Sequence, residues 1–294
     1  MKFLWKFLCD LSHNQHLPSP EKNFIYDKNL FHSPSNSNLL SYIFHIYPQI
    51  LLEKILFFVG VIKPRKWSVS FKENTHSSIA LHKFNTIQNP QNRFLADPFV
   101  ITVKGQTICF VEDYCFKEQK GRISAIKLSD NSYKFLDIVI EEDFHLSFPY
   151  VFEHQKDIYI IPESAQNNDI RLYKCTNFPF SWQLEKILLN NISAADTTIF
   201  KKDKKWFMLT NIDSSPLNDR SSELHLFSSD KLISDNWVPC SENPIIFDSI
   251  KARNAGLYSI DNKIYRANQV QGAGQYGKSI RVNEIIDISE ESYK

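Results

Sequence analysis

The sequence predicts an all-β fold, a five-bladed β-propeller with a short helical N-terminal extension. Three observations predict it. From Trp67 onward the chain reads as short apolar strands separated by polar turns, rich in the Phe, Tyr and Ile that suit a pleated surface. Four segments then repeat one another in order, at a period of 48 to 58 residues. Within every repeat a constant fifteen residues separate two marked positions: Asp97 from Glu112, Phe148 from Glu163, Asp196 from Asn211, and Asn254 from Gln269. A β-sandwich would show the turn signals without this internal register, whereas four-stranded units at this period are propeller blades.

Residues 1–66 read as the N-terminal extension. Met1–Leu11 is partly apolar, but Lys6 interrupts it and no small-residue cleavage site follows, so no secretory leader is expected. Residues 12–38 are rich in Ser, Asn, His and Pro and read as a connector. Leu39–Ile62 is an apolar stretch of about the length that spans a bilayer, and it ends at Lys63-Pro64-Arg65-Lys66. Glu53 and Lys54 lie inside it and Pro48 interrupts it, which opposes a spanning helix because an intramembrane charged pair is costly. A helix outside the propeller is expected here. Its apolar residues would meet the blades, a partner enzyme or a membrane surface, with residues 39–66 as the contact.

Residues 67–294 read as the propeller. The first strands of the repeats are Ala96–Ile101, Ser147–Phe152, Ala195–Phe200 and Arg253–Tyr258. Second strands follow at Ile108–Val111, Ile158–Ile161, Trp206–Leu209 and Ile264–Arg266. Third strands are expected at Arg122–Leu128, Asp169–Cys175, Glu223–Phe227 and Lys278–Val282, and fourth strands at Phe135–Ile140 and Leu184–Leu189. A fifth blade would combine Trp67–Phe71 and Ser78–Phe84 with strands of the C-terminal tail, closing the ring and removing exposed edges.

Composition excludes several functions. A formal net charge of +1 opposes an electrostatically driven nucleic-acid binder. The nine His are scattered without ligand spacing, which opposes a zinc site. No metal and no cofactor is expected. Cys9, Cys109, Cys115, Cys175 and Cys240 are odd in number and lack CxxC spacing, which suits reduced thiols in a cytoplasmic protein, with or without membrane association. The glycine run at 272–277 lacks a strand-to-helix context and reads as a hairpin loop, not a phosphate cradle.

The register points to a site. In a propeller the first strand of each blade lines the channel and the second runs antiparallel to it, so each fifteen-residue pair reaches one rim. That rim would collect Asp97, Glu112, Asp113, Glu163, Asp196, Asn211, Arg253, Asn254 and Gln269. Carboxylates and amides at converging positions match sugar hydroxyls, which both donate and accept hydrogen bonds. Phe148 and Tyr150 would be stacking faces for a sugar or, more simply, core residues. Arg253 would take a phosphate or carboxylate of the substrate. His145 and His225 read as strand or loop residues.

These motifs resemble the five-bladed propeller glycosidases of glycoside hydrolase family 43. Ala96-Asp97-Pro98 with Gly105 is similar to that family's first blade, and Asp196-Thr197-Thr198-Ile199-Phe200 to its third. The resemblance implies a general base at Asp97 and an Asp196 that orients the sugar and tunes the acid; a nucleophile is the other role open to Asp97. The fourth blade departs from the pattern: Arg253-Asn254-Ala255-Gly256 stands where the family's acidic Glu is expected, so Glu112 or Glu163 would have to supply the acid. A closer resemblance, over about residues 67–288, is to the propeller domain at the N-terminus of plant glucosamine inositolphosphorylceramide transferases. It rests on Ala-Asp-Pro-Phe at 96–99, Phe-Val-Glu-Asp at 110–113, Phe-Pro-Tyr-Val at 148–151, Ile-Pro-Glu-Ser at 161–164, Ala-Asp-Thr-Thr at 195–198, Ala-Arg-Asn-Ala-Gly at 252–256 and Tyr-Gly-Lys-Ser at 276–279. The expectation is a carbohydrate-active enzyme of surface polysaccharide or glycoconjugate biosynthesis. It would act as a glycosyltransferase or in the manner of a glycoside hydrolase, on a carbohydrate or sugar-phosphate substrate. The alternatives are a non-catalytic glycan-binding module serving a partner glycosyltransferase, and a membrane-associated scaffold.

Overall fold

The computed structural model describes residues 35–59, 67–72, 84–213, 219–272 and 275–294. The chain divides into two units, Met1–Arg65 and Lys66–Lys294.

In the first unit the described element is the helix α1 (Asn36–Phe58), with Pro48 inside it. Ser35 starts it, its hydroxyl accepting from the Asn38 N–H at 3.3 Å. Apolar side chains including Tyr42, Phe44, Tyr47 and Leu51 are exposed along it. No described helix is long and apolar enough to cross a membrane. The end of the expected helix, residues 60–62, and the basic cluster at 63–66 lie outside the described residues.

The second unit is all β. Strands β1 (Ser70–Phe71) and β2 (Asn85–Thr86) form a small sheet of their own. The first blade contains β3 (Arg93–Val103), β4 (Gln106–Cys115), β5 (Lys120–Ser129) and β6 (Ser132–Ile140). The second contains β7 (Ser147–His154), β8 (Asp157–Ser164), β9 (Asp169–Asn177) and β10 (Ser181–Asn190). In the third, β11 (Ala194–Lys202), β12 (Lys205–Ile212) and β13 (Glu223–Ser229) carry β14 (Val238–Pro239) and β15 (Ile246–Phe247) on the outer edge. The fourth has β16 (Asn254–Ile260), β17 (Lys263–Gly272) and β18 (Gln275–Glu284). All pairings within the blades are antiparallel meanders.

Two features aim the inner strands. Tight hairpin turns between first and second strands fix the pairing, so Ala96 faces Glu112, Ser147 faces Glu163 and Ala195 faces Asn211. In the fourth blade the Gln269 N–H bonds the Arg253 carbonyl at 2.9 Å, the same sixteen-residue separation. Just beyond each pair the register slips, between Ala96 and Phe99, Ser147 and Tyr150, and Ala195 and Thr198. The slipped residues Asp97, Phe148 and Asp196 have φ of 48°, 45° and 50°. A bulge with a left-handed residue re-aims a side chain and is a place where strain collects beside a site.

The inner strands meet one another. Phe99 of β3 packs edge-on to Phe148 and Tyr150 of β7 at 4.8 and 5.7 Å. The Tyr150 hydroxyl donates to the Ile199 carbonyl of β11 at 2.8 Å. Asn254 of β16 donates to the Asp196 carbonyl and the Thr198 hydroxyl, both at 2.8 Å. Apolar clusters fill the spaces between blades, with Phe148, Ile161, Met208 and Trp237 in one and Ile108, Phe110, Leu146 and Ile160 in another.

The expected fifth blade is corrected. The described residues form four blades, with the two-stranded sheet β1–β2 beside the first. Val69 and Ile87 seat that small sheet on Leu95, Cys109 and Val111. The C-terminal tail joins neither strand. It folds back through an Ile288–Tyr293 bridge, and Ile285 and Ile288 plug the core beside Phe207, Leu209 and Leu224. Two apolar anchors drive this docking, which the tail's lack of strand alternation left open. Of the expected strand Ser78–Phe84, residues 78–83 lie outside the described residues.

Candidate functional site

The bulges and the strands opposite them bring carboxyl groups together around one cation. Arg253 precedes β16 and is mostly buried. Its Nε donates to Asp196 Oδ2, its Nη2 lies 3.6 Å from Glu163 Oε2, and its Nη1 donates to the Arg220 carbonyl at 3.3 Å. Glu163 also shares a side-chain hydrogen bond with Asp196. Asp97 accepts the backbone N–H of Phe148 and lies in the field of Asp196 and Arg253. Glu112, 8 % exposed, feels Asp97, Glu163, Asp196 and Asp113, and no cation stands among its principal influences.

This arrangement separates the ionisations. Burial first, and then the charge of Asp196, pushes the Asp97 carboxyl up to about 6, against the pull of Arg253 and the Phe148 N–H. Burial and the surrounding carboxylates push Glu112 up to about 9. Glu163 is pushed up to about 8, mainly by burial and Asp196, with Arg253 opposing. Near neutral pH Asp97 is therefore ionised beside two carboxylic acids, Glu112 and Glu163, that keep their protons, the division that acid–base chemistry uses.

A carboxyl raised in the folded state holds its proton more tightly there. Its stabilising contribution is full below the unfolded value near 4.5 and is lost as pH rises through about 9. Glu112→Gln keeps the shape and cannot ionise. It is expected to come close to the parent's unfolding temperature at pH 5 and to exceed it by about 10 °C at pH 9. Thermal melts at the two pH values check this, and equal stability at pH 9 would show that Glu112 is not held protonated.

His145 stands beside Glu112, with Nε2 3.5 Å from Glu112 Oε1. Its Nδ1 accepts the Gly121 N–H at 2.9 Å, so the proton of the neutral ring sits on Nε2 and faces the carboxyl. Burial lowers the pKa of His145. Gly121 is required: a Cβ there would stand 2.5 Å from the Leu146 carbonyl oxygen and 2.7 Å from His145 Cε1.

The remaining sequence-selected residues have other surroundings. Asp113 alternates to the opposite face of β4 from Glu112 and is fully buried, its Oδ2 bonded to Arg93 at 2.8 Å and Ser124 at 2.7 Å. Phe148 and Tyr150 are packed in the core with their faces covered. Asn211 is fully buried and donates to the Glu223 and Ala252 carbonyls at 2.8 and 3.0 Å, while its own oxygen takes the Asn254 N–H at 2.7 Å. Asn211 and Asn254 thus bracket the junction of the third and fourth blades. Gln269 accepts from Gln271 at 2.8 Å and sits partly exposed next to Gly277. Among the described residues no group of His, Cys, Asp or Glu is arranged to hold a metal ion.

Sequence reasoning did not select Tyr276 or Trp67. Tyr276 is 58 % exposed, yet its hydroxyl is desolvated and its pKa pushed up to about 12, within the field of Arg253, Asp196, Asp97 and Glu163. Trp67 meets it edge-on at 6.3 Å. The sequence offered Tyr276 only within the Tyr-Gly-Lys-Ser motif at 276–279, beside the glycine run, and Trp67 only as the start of an expected strand.

Residues 75–294 match the family described as glucosamine inositolphosphorylceramide transferase 1, N-terminal. Glucosamine inositolphosphorylceramide transferase 1 of Arabidopsis thaliana is 34% identical over 226 residues, covering 75% of this chain and 29% of that protein. The protein of the same name from Oryza sativa subsp. japonica is 31% identical over 211 residues, 70% of this chain and 28% of its own length. The chain thus spans less than a third of the length of these relatives. Among solved structures, an exo-β-1,3-galactanase from Phanerochaete chrysosporium with β-1,3-galactotriose superposes with a TM-score of 0.54 at 12% identity, over 69% of this chain and 48% of that one. A family 117 glycoside hydrolase produced by Zobellia galactanivorans gives 0.52 at 10% identity, over 66% and 68%. At such identity these two share the fold of this chain. The family match and the plant relatives go further, and the chain belongs to the family of the N-terminal domain of glucosamine inositolphosphorylceramide transferase 1.

Proposed function

We propose that the carboxyl cluster is an acid–base site for glycosyl chemistry on a carbohydrate or sugar-phosphate substrate. Asp97 is the base and Glu112 the acid. The observation that carries this reading is the convergence of Asp97, Glu163 and Asp196 from three blades upon Arg253, with Glu112 in the field of all three and outside the arginine's principal influence. In the step, Glu112 gives its proton to the leaving oxygen as the glycosidic C–O bond breaks. Asp97 takes the proton of the incoming hydroxyl, from water or an acceptor sugar, as the new C–O bond forms. The pair ends with Glu112 ionised and Asp97 protonated, and solvent resets both. Glu163 and Asp196, held by Arg253, position the sugar. The plant relatives, whose name is glucosamine inositolphosphorylceramide transferase 1, and the glycoside hydrolases of the same fold support a sugar substrate.

A second reading has one observation in its favour. Arg253 stands in the fourth blade where an acid is expected from the family 43 resemblance, and it pairs with Asp196 and Glu163. A module that binds glycan and hands it to a partner glycosyltransferase needs nothing more. Incubation of the purified protein with a panel of aryl glycosides, and of nucleotide sugars with saccharide acceptors, followed by mass spectrometry, separates the two. Turnover of any member is the expected result. Binding of saccharides without turnover of any of them would overturn the enzyme reading in favour of the binding module.

A further inference from the structure

We propose that Trp67 and Tyr276 form a stacking subsite for a pyranose ring beside the carboxyl cluster, specific for sugars that present an unbroken face of axial C–H groups. The inference rests on the proposed carbohydrate function and locates where a second ring of the substrate lies. Both aromatic side chains face solvent, at 47% and 58% exposure, although burying either would stabilise the fold by about 2 kcal/mol. Their rings meet at 78° with centroids 6.3 Å apart, making an open corner with one ring face on each wall.

The surroundings separate this corner from an ordinary surface contact. Gly277 has φ of 65°, and a Cβ there would come within 2.9 Å of Gln269 Nε2 and 3.3 Å of Trp67 Cη2, so a side chain would crowd the floor of the corner. The amides of Gln269 and Gln271 line that floor, bonded to each other at 2.8 Å, with the Gly277 N–H on Gln271 Oε1 at 3.2 Å. Gln269 in turn pairs through its backbone with Arg253 at 2.9 Å, which makes the corner continuous with the cluster. Flat apolar faces beside amides and a phenol suit a ligand that is apolar on one face and hydroxylated at its edge, and a pyranose has that character.

Trp67 is also the reporter. Titration with cellobiose, whose gluco-configured rings offer such a face, is expected to shift tryptophan emission to the blue and protect it from acrylamide. Sorbitol, an open-chain polyol with no ring face to stack, should bind far more weakly. Followed by calorimetry, Trp67→Ala and Tyr276→Ala should each weaken cellobiose binding about ten-fold or more, and Trp67→Phe should retain part of it. Unfolding temperatures should stay near the parent's, because both side chains are exposed. If both alanine variants bind as the parent does, while Glu112→Gln or Arg253→Lys alters binding, the stacking subsite is wrong and the cluster reading stands. If the parent neither binds nor turns over any saccharide, both fall together. If the variants lose binding and the parent turns nothing over, the subsite stands and only the enzyme reading is lost.

Discussion

Arg253→Leu is expected to lower the unfolding temperature at pH 7 by about 10 °C, the largest stability effect of any single substitution at the site. Removing one partner of a buried ion pair typically costs about 3–5 kcal/mol, since the other partner keeps its desolvation penalty without its compensation. In a domain of this size each kcal/mol corresponds to about 2–4 °C. Here Asp196 loses a charged hydrogen bond and Glu163 a neighbouring cation at 3.6 Å, while the Arg220 carbonyl loses its donor. The pH dependence is diagnostic. Arg253 lowers the pKa of both Asp97 and Glu163, so without it both carboxyls hold their protons to higher pH. A carboxyl raised in the fold favours folding below its unfolded pKa and loses that contribution as pH rises through its folded value. The deficit of Arg253→Leu should therefore be small at pH 4 and grow toward pH 9. Arg253→Lys, which keeps the charge and loses the fork, should recover part of it. A pH-independent deficit would mean that Arg253 contributes packing and not charge.

Much of the propeller was legible because hairpin length is a local property. A tight turn between two strands fixes how many residues separate a position from its partner, so a constant spacing sets Glu112 opposite Ala96 and Glu163 opposite Ser147, with the bulge residues Asp97 and Phe148 one step on. The same spacing misread the amides. Asn211 and Asn254 stand at the rim in register, and their side chains bond the backbone of the neighbouring blade. Spacing tells where a residue lies along a strand and is silent on which partner across a seam takes its hydrogen bonds. Asp113 was misplaced for a simpler reason: it follows Glu112 directly, and side chains one apart on a strand point to opposite faces. Trp67 and Tyr276 lie 209 positions apart and meet across the join between the small sheet and the last blade, a contact without any local signature. The four-blade count has the same origin. Closure depends on where the tail docks, and two isoleucines that anchor it in the third and fourth blades do not announce themselves as a plug.

Asp97→Asn is expected to reduce turnover about 10²- to 10⁴-fold, the span that general acid–base catalysis contributes, while leaving fold and glycan affinity near the parent's. The substitution is clean for structural reasons. Asp97 has φ of 48°, and Asn is one of the few residues that tolerates this left-handed region, whereas Ala would add backbone strain to the loss of the base. The Asn side-chain oxygen still accepts the Phe148 N–H that Asp97 accepts now. What disappears is the anion. In the parent, activity should rise with pH through about 6 as Asp97 ionises, and fall through about 9 as Glu112 loses its proton. In Asp97→Asn the residual activity should lack the acidic limb. Its alkaline limb should also move to lower pH, because the charge of Asp97 is one of the influences that hold the Glu112 proton. Glu112→Gln should lose the alkaline limb and keep the acidic one, so the two variants together assign the roles. Should turnover be unchanged in Asp97→Asn and in Asp196→Asn alike, no chemistry runs through this cluster. Its carboxyl groups would then serve only to hold a sugar.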